Sequence, residues 1–279
     1  MELRRRWFLR LAFSAVALPP MSRTAGAQSY PARPIHWIVS FPAGGSNDIV
    51  ARIVGQYLSD ILGQQVIVEN RSGAGGSLGM QAVLSSPPDG YTIGFVTPNN
   101  AINSSVYSNL PYDFIRDSVP VAGLMSLPNV IEVHPSVPAR TVAELIAHAK
   151  ANPGRINMAT AGVGTSPHVS GELFKIMTGT NMVHVPYRGA APALTDLIAG
   201  QVEVMFDNLP SSVEHIKGGK IRALGVTTAK RADALPDVPS IGETVPGYEA
   251  NVFYGIAAPK GTPSEIVGKL HQAVDVVLA

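Results

Sequence analysis

The sequence predicts an α/β fold of two lobes, each a mainly parallel sheet flanked by helices and joined to the other by two crossing strands. Two observations carry this expectation. Apolar runs of strand length alternate with stretches of helical periodicity, and repeated βαβ units of this kind form parallel sheets with helices packed over them. A strand, a glycine-rich turn and a helix start also occur together twice, around Gly44 and around Gly164. Such a duplication suits two facing lobes better than one broad sheet.

The first unit begins with the apolar run Ile35–Val39, turns through Phe41, Pro42, Ala43, Gly44 and Gly45, and enters a helix at Ser46, Asn47 and Asp48. Ile49, Ile53, Val54, Tyr57, Leu58, Ile61 and Leu62 then mark one apolar face until Gly63 stops the helix. Residues 66–69 and 91–97 read as strands. Between them the glycine-rich stretch 71–76 leads into a short helix, Ser77–Leu84, and Pro87-Pro88-Asp89-Gly90 makes a turn. A helix over 142–150 ends at Asn152-Pro153-Gly154 and is followed by a strand at 156–159.

The second unit then turns through Gly162, Gly164, Thr165 and Ser166 into a helix that opens near His168. After it come a strand at 182–185, a turn carrying Arg188 and Gly189, and a helix at 193–198. A strand at 202–206 meets Asp207 and Asn208, and a helix at 212–217 and a strand at 221–227 follow. The extended runs 127–134 and Asn251–Pro259 are the expected crossings, dividing the chain into lobe 1 (28–127 and 254–279) and lobe 2 (128–253). The last helix, starting at Ser264, reaches Ala279 with Val276, Val277 and Leu278 still apolar and no cap, so the native chain is expected to continue.

Arg4, Arg5 and Arg6 precede Trp7, Phe8, Leu9 and a modest apolar run that ends at Ala25-Gly26-Ala27. This is the layout of an export signal over residues 1–27, and Arg5-Arg6-Trp7-Phe8-Leu9-Arg10 fits the twin-arginine or the general secretory route. The 21 lysines and arginines nearly balance the 20 aspartates and glutamates, which gives no footing for nucleic acid. The absence of cysteine removes disulfides, thiolate metal sites and cysteine nucleophiles. No two of the seven histidines stand at the i, i+4 spacing of a helical metal pair, so neither a metal nor another cofactor is expected.

Both glycine turns open helices, whose first N–H groups lack intrahelical acceptors and carry the positive end of the macrodipole. They are ready to take an anion, and in an exported protein a small carboxylate is a better candidate than a nucleotide. Ligands of open α/β sheets sit beyond the carboxyl ends of the strands, which makes the loops after Val39, Thr160, Val185 and Phe206 the natural walls.

An ordered set of strings, FPAGGSNDIVAR, VIVENRSGAGG, PPDGYTIGF, NLPYDF, HPSVPARTVAELIAHAKANPG, AGVGTSPHVSGELF, HVPYRGAAPALTDLIAGQVEVMFDN and APKGTP, resembles the substrate-binding receptors of tripartite tricarboxylate transporters, the TctC or Bug family. The resemblance covers nearly all of the chain after residue 27. It implies a periplasmic-binding-protein fold, type II-like, that closes on a small organic carboxylate as a monomer and delivers it to a membrane permease. It further implies that Phe41, Pro42, Ala43, Gly44, Gly45, Ser46 and Asp48 hold one carboxylate through backbone amides and water. Gly162, Gly164, Thr165, Ser166 and His168 would oppose them, with Arg188, Gly189, Asp207 and Asn208 around the cavity and Thr97 and Asn100 lining it from the first lobe. The sequence departs from the family pattern over residues 97–113, where Asn99 and Asn100 stand.

Two other readings compete. Gly75-Gly76-Ser77-Leu78-Gly79 matches G-x-S-x-G and would make Ser77 the nucleophile of a secreted hydrolase, but a nucleophile elbow follows its strand directly and residues 70–76 intervene here. A carboxylate-sensing receptor without a transport role shares the same binding chemistry. The sequence favours a receptor, not an enzyme.

Overall fold

The computed structural model describes residues 30–279, and the expected leader at 1–27 lies outside them. β1 (Ile35–Val39) is apolar and buried except at the partly exposed His36, and it pairs in parallel with β2 (Val66–Asn70) and β3 (Thr92–Val96). α1 (Ser46–Leu62) crosses between β1 and β2 and buries Val50, Ala51, Val54 and Leu58 in one core with Trp37. Gly63 ends it in the left-handed region (φ 67°), where its N–H returns to the Ser59 carbonyl. α2 (Ser77–Leu84) covers the other side of this sheet, packing Met80 and Val83 against Ile38.

α3 (Asn99–Val106) and α4 (Phe114–Asp117) follow, and neither is announced by apolar periodicity. The buried residues of α3 are Asn99, Asn100 and Asn103, so the face it turns inward is polar. β4 (Ser118–Val133) is far longer than the crossing expected at 127–134. Pro120 and Pro128 lie within it and its register shifts near Pro120 and Gly123, which erases the alternation that marks a strand.

The second half is built from α5 (Val142–Ala151), β5 (Asn157–Thr160), α6 (Ser166–Thr178), β6 (Val183–Pro186), α7 (Ala190–Ile198), β7 (Val204–Asn208), α8 (Leu209–Lys217) and β8 (Arg222–Val226). β5 lies parallel between β6 and β7, and Phe174, Phe206 and Tyr248 fill a core on one face. β9 (Asn251–Pro259) returns the chain to the first half, and α9 (Ser264–Leu278) buries Leu270, Ala273 and Val274 in the core that holds Trp37.

Among the described residues the sheet order is β2-β1-β3-β9-β4-β7-β5-β6, with β8 also paired to β4. Parallel pairing is confined to the outer strands of each half. Where the halves meet, β9 runs antiparallel to β3 and β4, and β4 runs antiparallel to β7 and β8. The two crossings therefore form a continuous mixed sheet rather than free linkers. No helix among the described residues is long and apolar enough to cross a membrane.

Candidate ligand-binding cleft

The first glycine turn is built around Asp48. Its carboxylate accepts from Gly44 N (3.0 Å), Arg52 Nε (3.0 Å) and Asn70 Nδ2 (2.9 Å), and the same Asn70 amide reaches the Phe41 carbonyl (3.0 Å). Burial alone would raise the Asp48 pKa, but the bonds from Arg52, Gly44 and Asn70 outweigh it and hold the carboxyl below its usual range. Asp48 thus fastens the turn to its own helix. Gly44, at φ 82°, supplies a bend that a side chain rarely adopts.

This turn leaves its helix start open. Gly45 is the N-cap of α1 with no side-chain cap bond, and the first donor engaged along the helix is Ile49 N, to the Gly45 carbonyl. The N–H groups of Ser46, Asn47 and Asp48 have no acceptor among the described residues. Ser46 itself is fixed by Tyr254 of β9, whose hydroxyl donates to Ser46 Oγ at 2.7 Å.

The start of α6, at the second glycine turn, is closed. Thr165 is its N-cap and accepts from His168 N (3.3 Å), while its hydroxyl donates to the Gly162 carbonyl (2.6 Å). Pro167 has no N–H to offer. The remaining donor, Ser166 N, is taken by Asn99 Oδ1 of α3, which comes from the opposite half at 2.9 Å.

What faces the first turn across the cleft is the start of α7. An ideal Cβ on Gly44 would lie 3.6 Å from the Ala191 methyl, and one on Gly45 would lie 3.8 Å from that of Ala190. Gly189 sits so close to Pro42 that a Cβ there would be 2.7 Å from the proline ring. α7 has no side-chain cap either, and Ala190 N and Ala191 N find no acceptor among the described residues. Two uncapped helix starts, one from each half, therefore converge.

They meet at a cavity between the halves, walled by Phe41, Gly45, Ser46 and Asn47 on one side and Ala161, Thr165, Ser166 and Asn208 on the other. Thr97, Asn99, Pro167, Ala190 and Tyr254 complete the wall. The centre of a water molecule can reach only about 20 Å³ of it, so a ligand of several heavy atoms enters only if the halves separate. Further contacts hold them together: a Cβ on Gly75 would lie 2.7 Å from the Val163 carbonyl oxygen, and one on Gly164 2.7 Å from Asn103 Oδ1.

Of the residues expected from sequence, Phe41, Gly45, Ser46, Thr97, Thr165, Ser166 and Asn208 lie on this wall. Asn100 stands behind it, its Oδ1 accepting from Thr97 N at 2.8 Å. Ala43 and Gly44 are exposed at the rim, and Gly162 and Gly164 shape the second turn at φ 126° and 77°. Arg188 is exposed. His168 accepts from Gly164 N (3.3 Å) and stacks on His184 with ring centroids 4.2 Å apart. Sequence reasoning missed Asn47, Asn99, Ala161, Pro167, Ala190 and Tyr254 as wall residues. For Tyr254 the buried alternation Val252, Tyr254, Ile256 on the return strand was the available signal.

Among the described residues no lysine, arginine or histidine side chain lines the cavity. Behind its second-half wall lies a buried acid pair. Asp207 accepts from Ser211 Oγ at 2.5 Å, while both carboxylate oxygens of Glu132 lack partners among the described residues. Burial pushes Asp207 up to about 7, and burial with the neighbouring Asp207 charge lifts Glu132 well above the usual carboxylate range.

His168, Glu172 and His184 bring metal-ligating atoms within 4.8 Å of one another, pairing an i, i+4 helical couple with a strand histidine that spacing among histidines alone does not reveal. The rings are only 21° from parallel, so their in-plane lone pairs do not converge, and Glu172 is engaged by Lys175 Nζ at 2.8 Å. This arrangement packs more readily than it chelates. Ser77 is buried at the foot of α2, and its Oγ accepts from Asn103 Nδ2 at 3.0 Å. Its partner is thus an amide, where a nucleophile needs a base.

The pattern of the tripartite tricarboxylate transporter family receptor matches residues 50–279. The UPF0065 protein in the tcbD-tcbE intergenic region of Pseudomonas sp. (strain P51) is 38% identical over 275 residues, covering 97% of this chain and 82% of that one. Among solved structures, R. palustris Rpa4515 with adipate is 41% identical with a TM-score of 0.86, covering 88% of this chain and 83% of the other. The periplasmic binding protein BugD is 36% identical with a TM-score of 0.86, covering 90% of this chain and 84% of its own.

Proposed function

The chain belongs to the tripartite tricarboxylate transporter receptor family, and from that membership we propose that it is exported to the periplasm, closes its two halves on a small organic carboxylate and presents the closed form to a membrane permease. Members of the family are substrate-binding receptors and not enzymes. The observation that carries the carboxylate reading is the convergence of two uncapped helix starts, α1 at Ser46 and α7 at Ala190, on one interlobe cavity. The N–H groups of Ser46, Asn47 and Ala190 stand at one cavity with two macrodipoles behind them, an arrangement suited to a carboxylate without a cationic side chain. The relative solved with adipate supports the same class.

The halves move about β4 and β9, the strands through which the chain passes between them. In the closed arrangement the α1 and α7 starts share one anion; once they part, each keeps only its own donors. The carboxylate therefore favours the closed population, and the permease reads that population. A thermal-shift screen over organic acids tests this reading. A ligand at about 100 times its dissociation constant stabilises the native state by about 2.7 kcal/mol. A clear rise in melting temperature with carboxylates, and none with their amides or alcohols, is the expected result. Stabilisation by sugars or amines instead would remove the carboxylate class.

A further inference from the structure

We propose that capture of a carboxylate takes up a proton, held behind the cleft wall by the buried pair Glu132 and Asp207. This rests on the carboxylate reading and adds a second species, the proton, to what the protein binds. Asp207 of β7 stands opposite Val130 of β4, and Glu132 lies two residues farther along β4, so the acids are diagonal neighbours on one face of the sheet. Both are wholly buried. Of their four carboxylate oxygens only Asp207 Oδ2 is engaged by a side chain, the Ser211 hydroxyl of α8, and Ser212 Oγ on the same helix has no partner among the described residues. A buried carboxylate without donors takes a proton in preference to keeping its charge, and two adjacent ones do not both ionise. The pair therefore keeps one proton throughout the neutral range and loses the other near pH 7, where burial places Asp207.

The pair acts on the cleft through the wall. The residue after Asp207 is Asn208, which lines the cavity, and burial together with the Asp207 charge keeps the hydroxyl of the wall residue Tyr254 protonated. A charge felt at Tyr254 is also felt by an anion beside it. The other charges on the elements packed against β4 and β7 are engaged elsewhere. On α8, Glu214 and Lys217 pair at the surface (3.9 Å), and His215 is half-buried. On α7, Asp196 accepts from the Tyr187 hydroxyl (2.6 Å); on α6, Glu172 pairs with Lys175 (2.8 Å). On β8, the Arg222 guanidinium donates to the carbonyls of Val137 and Ala139. Burial holds His168 and His184 below the usual imidazole range, so both are neutral at pH 7. A bound carboxylate therefore raises the affinity of the acid pair for its second proton, and by linkage that proton raises the affinity for the carboxylate by the same factor. The liganded protein binds more protons than the free one near neutrality, so affinity rises as pH falls.

The test is isothermal titration calorimetry of the full chain with adipate, which is ionised at pH 7 and above, in buffers of different ionisation enthalpy. The dependence of the heat on the buffer counts the protons exchanged. Uptake of about half a proton per adipate is expected at pH 7, where Asp207 is half ionised. The affinity should fall about fivefold between pH 7 and pH 8.5. In the double variant Glu132→Gln, Asp207→Asn nothing in the pair titrates, so the uptake should vanish and the affinity should no longer depend on pH. At pH 8.5 this variant should bind adipate about fivefold more tightly than the parent, a gain that a misfolded protein does not give. Adipate binding to the parent without uptake, or uptake that persists in the double variant, would overturn the proposal and leave the carboxylate reading in place. If neither adipate nor any other organic acid binds while another solute class does, the carboxylate reading itself fails, and this inference with it.

Discussion

The two glycine turns read alike in sequence and differ in what they leave free. Both follow a buried strand, both bend at positive φ, and both open a helix whose first residues are buried in the cleft. The first keeps its helix donors open and commits its only acid, Asp48, to bracing the turn. The second closes its donors with Thr165, Pro167 and a neighbour's amide. A strand–glycine–helix motif therefore marks the possibility of an anion site. Whether the possibility is kept depends on the cap residue and on what the opposite half places there.

Substitutions that prevent closure should separate the turns most strongly. Gly164→Val combines a φ of 77° with a Cβ only 2.7 Å from Asn103 Oδ1, so we expect carboxylate affinity to fall about a hundredfold, roughly 2.7 kcal/mol. Gly44→Val meets the Ala191 methyl at an ordinary 3.6 Å and carries mainly the backbone strain at φ 82°, which predicts a loss nearer tenfold. Calorimetry showing the larger loss at Gly44 would reverse the comparison of how tightly each turn meets the other half.

Asp48→Ala should come next, costing about 2 kcal/mol in chemical denaturation, because Arg52 and Asn70 lose their shared acceptor and the Gly44 amide is left without one. Tyr254→Phe removes only the bond to Ser46 Oγ and keeps the ring against Phe95 (centroids 4.9 Å apart), so a loss of about 1 kcal/mol is expected. If Asp48→Ala proves no more costly than Tyr254→Phe, the carboxylate does not brace the turn.

The last expected effect is a pH dependence set by two pairs of groups in the second half. Burial raises Asp207 to about 7, and burial with the neighbouring Asp207 charge raises Glu132 well above the usual carboxylate range, so their contribution to stability is complete below the ordinary carboxylate range and is lost as pH rises to about 7 and beyond. Burial lowers His168, and burial with the neighbouring His168 lowers His184 to about 4, so theirs is complete above the ordinary imidazole range and is lost as pH falls toward 4. The melting temperature should decline from pH 6 to 8, and Asp207→Asn should reduce that decline, leaving the part due to the buried Glu132. A parent melting curve that climbs steadily from pH 6 to 8 would contradict this.

The chain's βαβ alternation made its strands and most of its helices legible, because one-sided and two-sided burial write different periods into sequence. α3 was not legible for the same reason: its inward face is Asn99, Asn100 and Asn103, and a polar buried face has no apolar period. The first part of β4 hid behind Pro120, Gly123 and the shifts of register they accompany. In the cleft, the walls of the two turns could be read, but their pairing could not. That the start of α7 at Ala190 faces Gly44, and that Asn99 reaches Ser166, depends on how the halves close, which no local pattern encodes. One clue was present in Thr165-Ser166-Pro167, since a capping threonine and a proline together remove donors from a helix start.

Amide NMR distinguishes a carboxylate held between the α1 and α7 starts from one held at α6. ¹⁵N-labelled protein would be titrated with the most strongly stabilising acid of the thermal screen. The largest downfield proton shifts are expected at Ser46, Asn47 and Ala190, with Ser166 little changed while it keeps its bond to Asn99. Large shifts at Ser166 and His168 with Ser46 and Ala190 unmoved would contradict it.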